Sequence, residues 1–309
     1  PDGLLENFTK ETGIKVRYDT FDTNEIVHAK LIAGRTGYDI IVPSANWAAL
    51  HIQAGLFQKL DKSKLTNLKN TDPVMMKLLS QADPGNQYLV NWAWGFVTLG
   101  INTGKVKAAL GSDPMPENAW SLIFDPKYAK KLNSCGISML DSATDVIPAA
   151  LHYLGKPAYS TNPADYTEAT KLMRAIRPNI KIFSSGINDL AGGGLCMALG
   201  YSGDMNIAAK RAKEGKTGQT IEALVPSTGG LLFYDNMAIP ADAEHPNNAH
   251  IFINYILRPE VAASISNKMN YATMTAAALP LVDKEITANK SIFLTDDAKK
   301  KMVAQGVTT

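Results

Sequence analysis

Neither sign of charge dominates this sequence: 31 Lys and Arg stand against 29 Asp and Glu, a formal net charge of +2 over 309 residues. A balanced chain without a long Lys/Arg cluster has no electrostatic footprint for nucleic acid. Long apolar runs are missing too, since Ala238–Pro240 and Ile251–Leu257 fall far short of the ~20 residues that span a bilayer. No segment reads as a signal peptide, and the chain opens on Pro1-Asp2, as a processed or trimmed product would. Cys135 and Cys196 are the only cysteines, without the paired spacing of a zinc site or the close spacing of a redox motif. Spacing alone leaves two buried thiols and one disulfide both open. A Gly-x-Ser-x-Gly elbow is absent, which removes one common hydrolase nucleophile. His28, His51, His152, His245 and His250 are scattered outside any metal motif, so structural or exposed roles are expected for them. Gly192–Gly194 precedes a strand and not a helix, which makes it a poor phosphate cradle. Catalysis, a cofactor and a resident metal are therefore not expected.

What is present is an ordinary globular composition, 45% hydrophobic and 19% charged, on a chain long enough for two domains. Leu4–Thr12 carries Leu4, Leu5 and Phe8 at helical spacing and stops at Gly13. Ile14–Tyr18 alternates and reads as a strand. Thr23 or Asn24 can cap a second helix, with Ile26, Val27, Leu31 and Ile32 on one face and Gly34 ending it. Tyr38–Val42 reads as a strand buried on both faces, with Pro43-Ser44 at its carboxyl end, where open α/β sheets place ligands. Further on, Gly136–Leu140 and Leu195–Gly200 read as strands. Asp145–Leu154, Tyr166–Ile176, Asn247–Leu257 and Pro259–Ser266 read as helices, with Met269–Thr275 as a connecting segment. The alternation argues for doubly wound α/β domains.

Several runs carry a resemblance. They are Glu11-Thr-Gly-Ile-Lys-Val-Arg-Tyr18, Asp22-Thr-Asn-Glu25, Tyr38-Asp-Ile-Ile-Val-Pro-Ser44 and Gly55-Leu-Phe-Gln-Lys-Leu-Asp61, then Ser134-Cys-Gly-Ile-Ser-Met-Leu-Asp141 and Ile187-Asn-Asp-Leu190. Gly200-Tyr-Ser-Gly-Asp204, Phe233-Tyr-Asp235 and Asn254-Tyr-Ile-Leu-Arg-Pro259 complete the set. In this collinear order the chain resembles the polyamine-binding (putrescine and spermidine) periplasmic receptors of ABC importers. The resemblance implies a type II periplasmic-binding-protein fold, two α/β lobes with a hinge and a ligand cleft. It places residues 1–97 and 228–278 in one lobe, and 98–227 and 279–309 in the other. It implies a Cys135–Cys196 disulfide, a periplasmic location, a membrane permease as partner and a monomer that closes around its ligand.

A linear polyamine is an aliphatic stem with an ammonium at each end. Carboxylates suit the ends through charge-assisted hydrogen bonds, and aromatic faces suit the stem and its charges. The resemblance assigns Asp204 and Asp235 as carboxylates and sets Asp145 where such receptors often carry glutamate. It gives Trp94, Tyr201, Phe233 and Tyr271 as aromatic walls and Ser44 as a hydrogen-bonding residue. Tyr201 replaces a common tryptophan, Asn206 stands where another is frequent, and the Ser184-Ser185-Gly186 loop is short. Family members also begin with a buried strand and a Trp-Ser-Asp-Tyr-like loop and end with a basic segment. Their absence leads us to expect a fragment with open strand edges. The competing expectation is a receptor of the same fold for another cationic or non-polyamine solute, acting in signalling instead of transport.

Overall fold

The computed structural model describes residues 3–21 and 24–306. The possible cap Thr23 lies outside the described residues, as does Asp22. The chain forms two compact units, neither contiguous in sequence. Unit 1 is Pro1–Trp94 with Phe233–Thr287, and unit 2 is Gly95–Leu232 with Ala288–Thr308.

Unit 2 is built on a sheet. Its strands are β1 (Val90–Asn102), β2 (Ile137–Met139), β3 (Ile182–Phe183), β4 (Met197–Tyr201), β5 (Ile221–Ala223), β6 (Leu231–Met237) and β7 (Val303–Ala304). The first residues of β1 and the last of β6 belong to unit 1. The order is β3-β2-β4-β1-β6-β7, with β5 also paired to β1. β1 runs antiparallel to β4, setting Val97 opposite Tyr201 and Ile101 opposite Met197, while β2 pairs β4 in parallel. β1 is buried almost throughout, as its continuous apolar run requires of a central strand. Trp120, Phe124, Leu132, Leu151, Ile176 and Leu199 form the core, and the Trp120 indole donates to Gly229 O at 2.9 Å. Helix Pro163–Ile176 starts where its residues dictate, with Pro163 in its first turn and the Asn162 side chain accepting from Ala164 N. Helices Ala143–Tyr153 and Ser202–Glu214 follow β2 and β4, so their first turns stand at the carboxyl ends of those strands. Cys135 and Cys196 are joined in a disulfide just ahead of the same two strands.

In unit 1, α1 (Leu4–Thr12) is closed by Gly13, whose left-handed φ of 75° is the conformation glycine adopts without a Cβ penalty. α1 buries Phe8 against Phe252 and Tyr255, with ring centroids 5.1 and 5.2 Å away, and Met237, Ile253 and Ile256 extend this core. α2 (Asn24–Ala33) and α3 (Ala45–Gln53) complete the N-terminal part, and helices Pro246–Ile256 and Pro259–Met269 pack alongside.

Three expectations for unit 1 are corrected. Ile14 and Val16 are half-buried but Tyr18 is 64% exposed, and Ile14–Tyr18 forms no ladder among the described residues, because pattern alone supplies no pairing partner. Tyr38–Val42 is not a strand buried on both faces. It is half-buried and attached to β6 and the residue after it through single bridges, Ile41 with Ala238 and Ser44 with Asp235. In α2 only Val27 and Leu31, one turn apart, are buried, while Ile26 and Ile32 lie off that stripe, 42% and 59% exposed.

Candidate functional site

In unit 1 the polar centre is Asp235, on β6. Ser44, the residue before α3, donates from Oγ to Asp235 Oδ1 at 2.7 Å. Asn24, the first residue of α2, holds Ser44 from both sides: its amide nitrogen donates to Ser44 Oγ at 3.1 Å, and Ser44 N donates to Asn24 Oδ1 at 3.0 Å. Asn91 donates to the Asp235 carbonyl at 3.0 Å, fixing the backbone beneath the carboxylate. Alternation along β6 sets Phe233 on the same side as Asp235. The Phe233 ring stands 6.1 Å from that of Tyr271 at 66°, an edge arrangement. Tyr234, between them, is buried, which pushes its phenol up to about 12. Trp94 bridges to Ala272, and its indole N–H is buried without a hydrogen-bond partner among the described residues. A ring cluster that spacing did not disclose joins α2 to α3. His28 and His51 stack 5.3 Å apart with Nδ1 and Nε2 3.1 Å from each other, and Trp47 lies 5.3 Å from His28. Burial first, and the neighbouring His28 second, bring His51 down to about 4.

In unit 2 the polar centre is Asp145, in the first turn of Ala143–Tyr153 and only 6% exposed. Ser142 Oγ and Tyr201 Oη donate to its Oδ2 at 2.8 and 2.7 Å. Gln305 Nε2 donates to its Oδ1 at 3.2 Å. Asp204 is half-buried in the first turn of Ser202–Glu214, where the helix dipole favours a carboxylate. Asn206 is spent on structure, donating to Ser202 O and Ser291 Oγ and accepting from Asn289.

The expected residues thus fall into two groups: Ser44, Trp94, Phe233, Asp235 and Tyr271 in unit 1, and Asp145, Tyr201 and Asp204 in unit 2. Asn24, Asn91, Ser142 and Gln305 were missed, and only Asn24, read as a helix cap, carried any local signal. Among the described residues no three His, Cys, Asp or Glu gather as a metal site, and no helix is long and apolar enough to cross a membrane.

Residues 3–293 match the family described as bacterial extracellular solute-binding protein. The putrescine-binding periplasmic protein SpuD of Pseudomonas aeruginosa is 45% identical over 300 residues, covering 96% of this chain and 82% of the relative. Its counterpart PotF of Escherichia coli is 46% identical over 301 residues, covering 96% and 81%. A solved structure from Listeria monocytogenes superimposes with a TM-score of 0.87 at 32% identity, over 100% of this chain and 90% of that one. The spermidine/putrescine substrate-binding protein PotD of Streptococcus pneumoniae gives 0.79 at 28% identity, over 98% and 88%.

Proposed function

The chain belongs to the bacterial extracellular solute-binding proteins, and from that premise we propose that it captures a linear polyamine of the putrescine or spermidine kind in the periplasm. It acts as a monomer and hands the amine to the membrane permease of an ABC importer. It is a binder and not an enzyme.

The observation that carries this reading is the setting of Asp235. Its carboxylate is oriented by Ser44 at 2.7 Å, two residues from an aromatic ring that is itself set against Tyr271. An ammonium needs an oriented carboxylate, and the adjoining methylenes need apolar faces. Cation–π contacts add about 0.5–2 kcal/mol where the site is desolvated. Ser44, Trp94, Phe233, Asp235 and Tyr271 are the ligand residues of unit 1, and Asp145, Tyr201 and Asp204 those of unit 2. The names of SpuD and PotF agree with this ligand class.

Isothermal titration calorimetry against putrescine, cadaverine, spermidine, spermine and agmatine tests the reading, on protein freed of carried-over ligand by unfolding and refolding. Saturable one-to-one binding of one amine is the expected result. Silence across the panel from folded protein would overturn the polyamine assignment and leave the fold untouched.

A further inference from the structure

His28 and His51 have no part in the amine reading, and 23 residues separate them in the chain, so no spacing motif joins them. The fold of unit 1 sets them face to face, His28 on α2 and His51 on α3. His28 Nδ1 lies 3.1 Å from His51 Nε2, with the rings 15° from parallel. Aromatic rings flank the pair, Trp47 at 5.3 Å from His28 and Phe57 at 5.4 Å from His51. His51 is fully buried and His28 half-buried, so solvent reaches the pair from the His28 side.

A neutral imidazole carries one proton on two nitrogens. The two facing nitrogens share one proton between them, so in either tautomer a lone pair already points into the gap. A hydrogen bond at the outer nitrogen is what ordinarily fixes a histidine tautomer. His51 Nδ1 is buried without a hydrogen-bond partner among the described residues, so nothing there holds His51 to one form. Once the shared proton moves to an outer nitrogen, two bare lone pairs face each other and repel unless a cation stands between them. Burial keeps His51 neutral down to about 4, so at neutral pH a proton does not occupy that place.

The separation suits a particular cation. A tetrahedral ion with metal–nitrogen bonds of about 2.0–2.1 Å holds two nitrogen ligands roughly 3.3–3.4 Å apart. From 3.1 Å the pair need open by only about 0.2–0.3 Å. α3 carries no Asp, Glu, Lys or Arg, so it adds neither a hard oxygen ligand nor a competing side-chain cation. Imidazole nitrogen favours copper, nickel and zinc over magnesium and calcium.

We propose that His28 Nδ1 and His51 Nε2 form a two-imidazole site for a divalent transition-metal ion, Cu²⁺ ahead of Ni²⁺ and Zn²⁺, with solvent completing the coordination from the His28 side. Each imidazole keeps its one proton on the outer nitrogen, so binding releases none. The bound ion staples α2 to α3, adding to the hydrogen bonds by which Asn24 holds Ser44. The site stands independently of the amine reading.

Isothermal titration calorimetry of the full chain with Cu²⁺, Ni²⁺, Zn²⁺ and Mg²⁺, at neutral pH in a non-coordinating buffer, tests this. Saturable one-to-one binding is expected for the transition metals, tightest for Cu²⁺, with none for Mg²⁺. His28→Gln and His51→Ala should each weaken Cu²⁺ binding at least about 10-fold, since even the outer partners of a metal ligand are worth 10- to 100-fold. His51 lies in the core, so His28→Gln is the arm to rely on should His51→Ala fold poorly by circular dichroism. His245→Ala removes an exposed imidazole outside the pair and should bind as wild type does. A wild type that takes up none of the three transition metals would overturn the proposal, as would a His28→Gln variant with an unchanged Cu²⁺ Kd. Mg²⁺ binding as tight as Cu²⁺ would overturn it too, by removing nitrogen ligation.

Discussion

Asp235 owes its setting to residues far from it along the chain, Ser44 at a separation of 191 and Asn91 at 144. That is why Asp235 and Ser44 were legible only through the resemblance to polyamine receptors, while Asn91 was not legible at all. Gln305 lies 160 residues from its partner Asp145 and carries no mark in its own neighbourhood. Asp235→Ala should cost roughly 1.5–3 kcal/mol of amine binding, about a 10- to 100-fold rise in Kd by calorimetry. An unchanged Kd would remove Asp235 from the site. His51 makes a separate prediction. Its folded-state value of about 4 lies below the ordinary 6.5, so between these limits the unfolded chain takes up a proton that the folded chain refuses. Stability should therefore be full near pH 7 and decline towards pH 4, at no more than ~1.4 kcal/mol per pH unit from this residue. Urea unfolding across that range, compared with His51→Phe, checks the sign. Parallel profiles in the two proteins would clear His51 of the effect.

Helices and strands were unequally readable. Helices announce themselves locally: Asn162 with Pro163 begins one, and Pro246 and Pro259 begin two more, while Gly13 ends α1. Of the strands in the sheet of unit 2, β2 and β4 were read from Gly136–Leu140 and Leu195–Gly200, while β1, β3, β5, β6 and β7 were not. Ile14–Tyr18 and Tyr38–Val42 were misread because a ladder depends on what lies alongside, which alternation cannot disclose. Pairing in unit 2 also depends on one backbone position. Gly229 has φ +88°, and a Cβ there would run into the carbonyl oxygen of Lys301, just ahead of β7. Gly229→Ala should cost about 1–3 kcal/mol from the backbone alone and loosen the β6–β7 pairing. Limited proteolysis should then cut within residues 296–306 faster than in wild type, and an unaltered cleavage pattern would dismiss this role for Gly229.

For the whole molecule, amine binding should raise thermal stability by mass action, about 2.7 kcal/mol at a ligand concentration of 100 Kd. Scanning calorimetry with and without the amine found by titration measures it, and an unmoved Tm at saturation would contradict binding to the folded state. The fold class was legible in the collinear motifs, and among the described residues the compact units change over at Trp94–Gly95, Leu232–Phe233 and Thr287–Ala288. That interleaving has a consequence for biosynthesis. A ribosome delivers Gly95–Leu232 before Phe233–Thr287, so the first part of unit 1 must stay without its complement while most of unit 2 emerges. Cys135 and Cys196 both lie in this middle block, so their bond can close before the earlier-made residues have a finished partner to fold with. The N-terminal third is made first and completed late, and its Phe8 and Leu4 are the apolar surfaces a holding chaperone would meet.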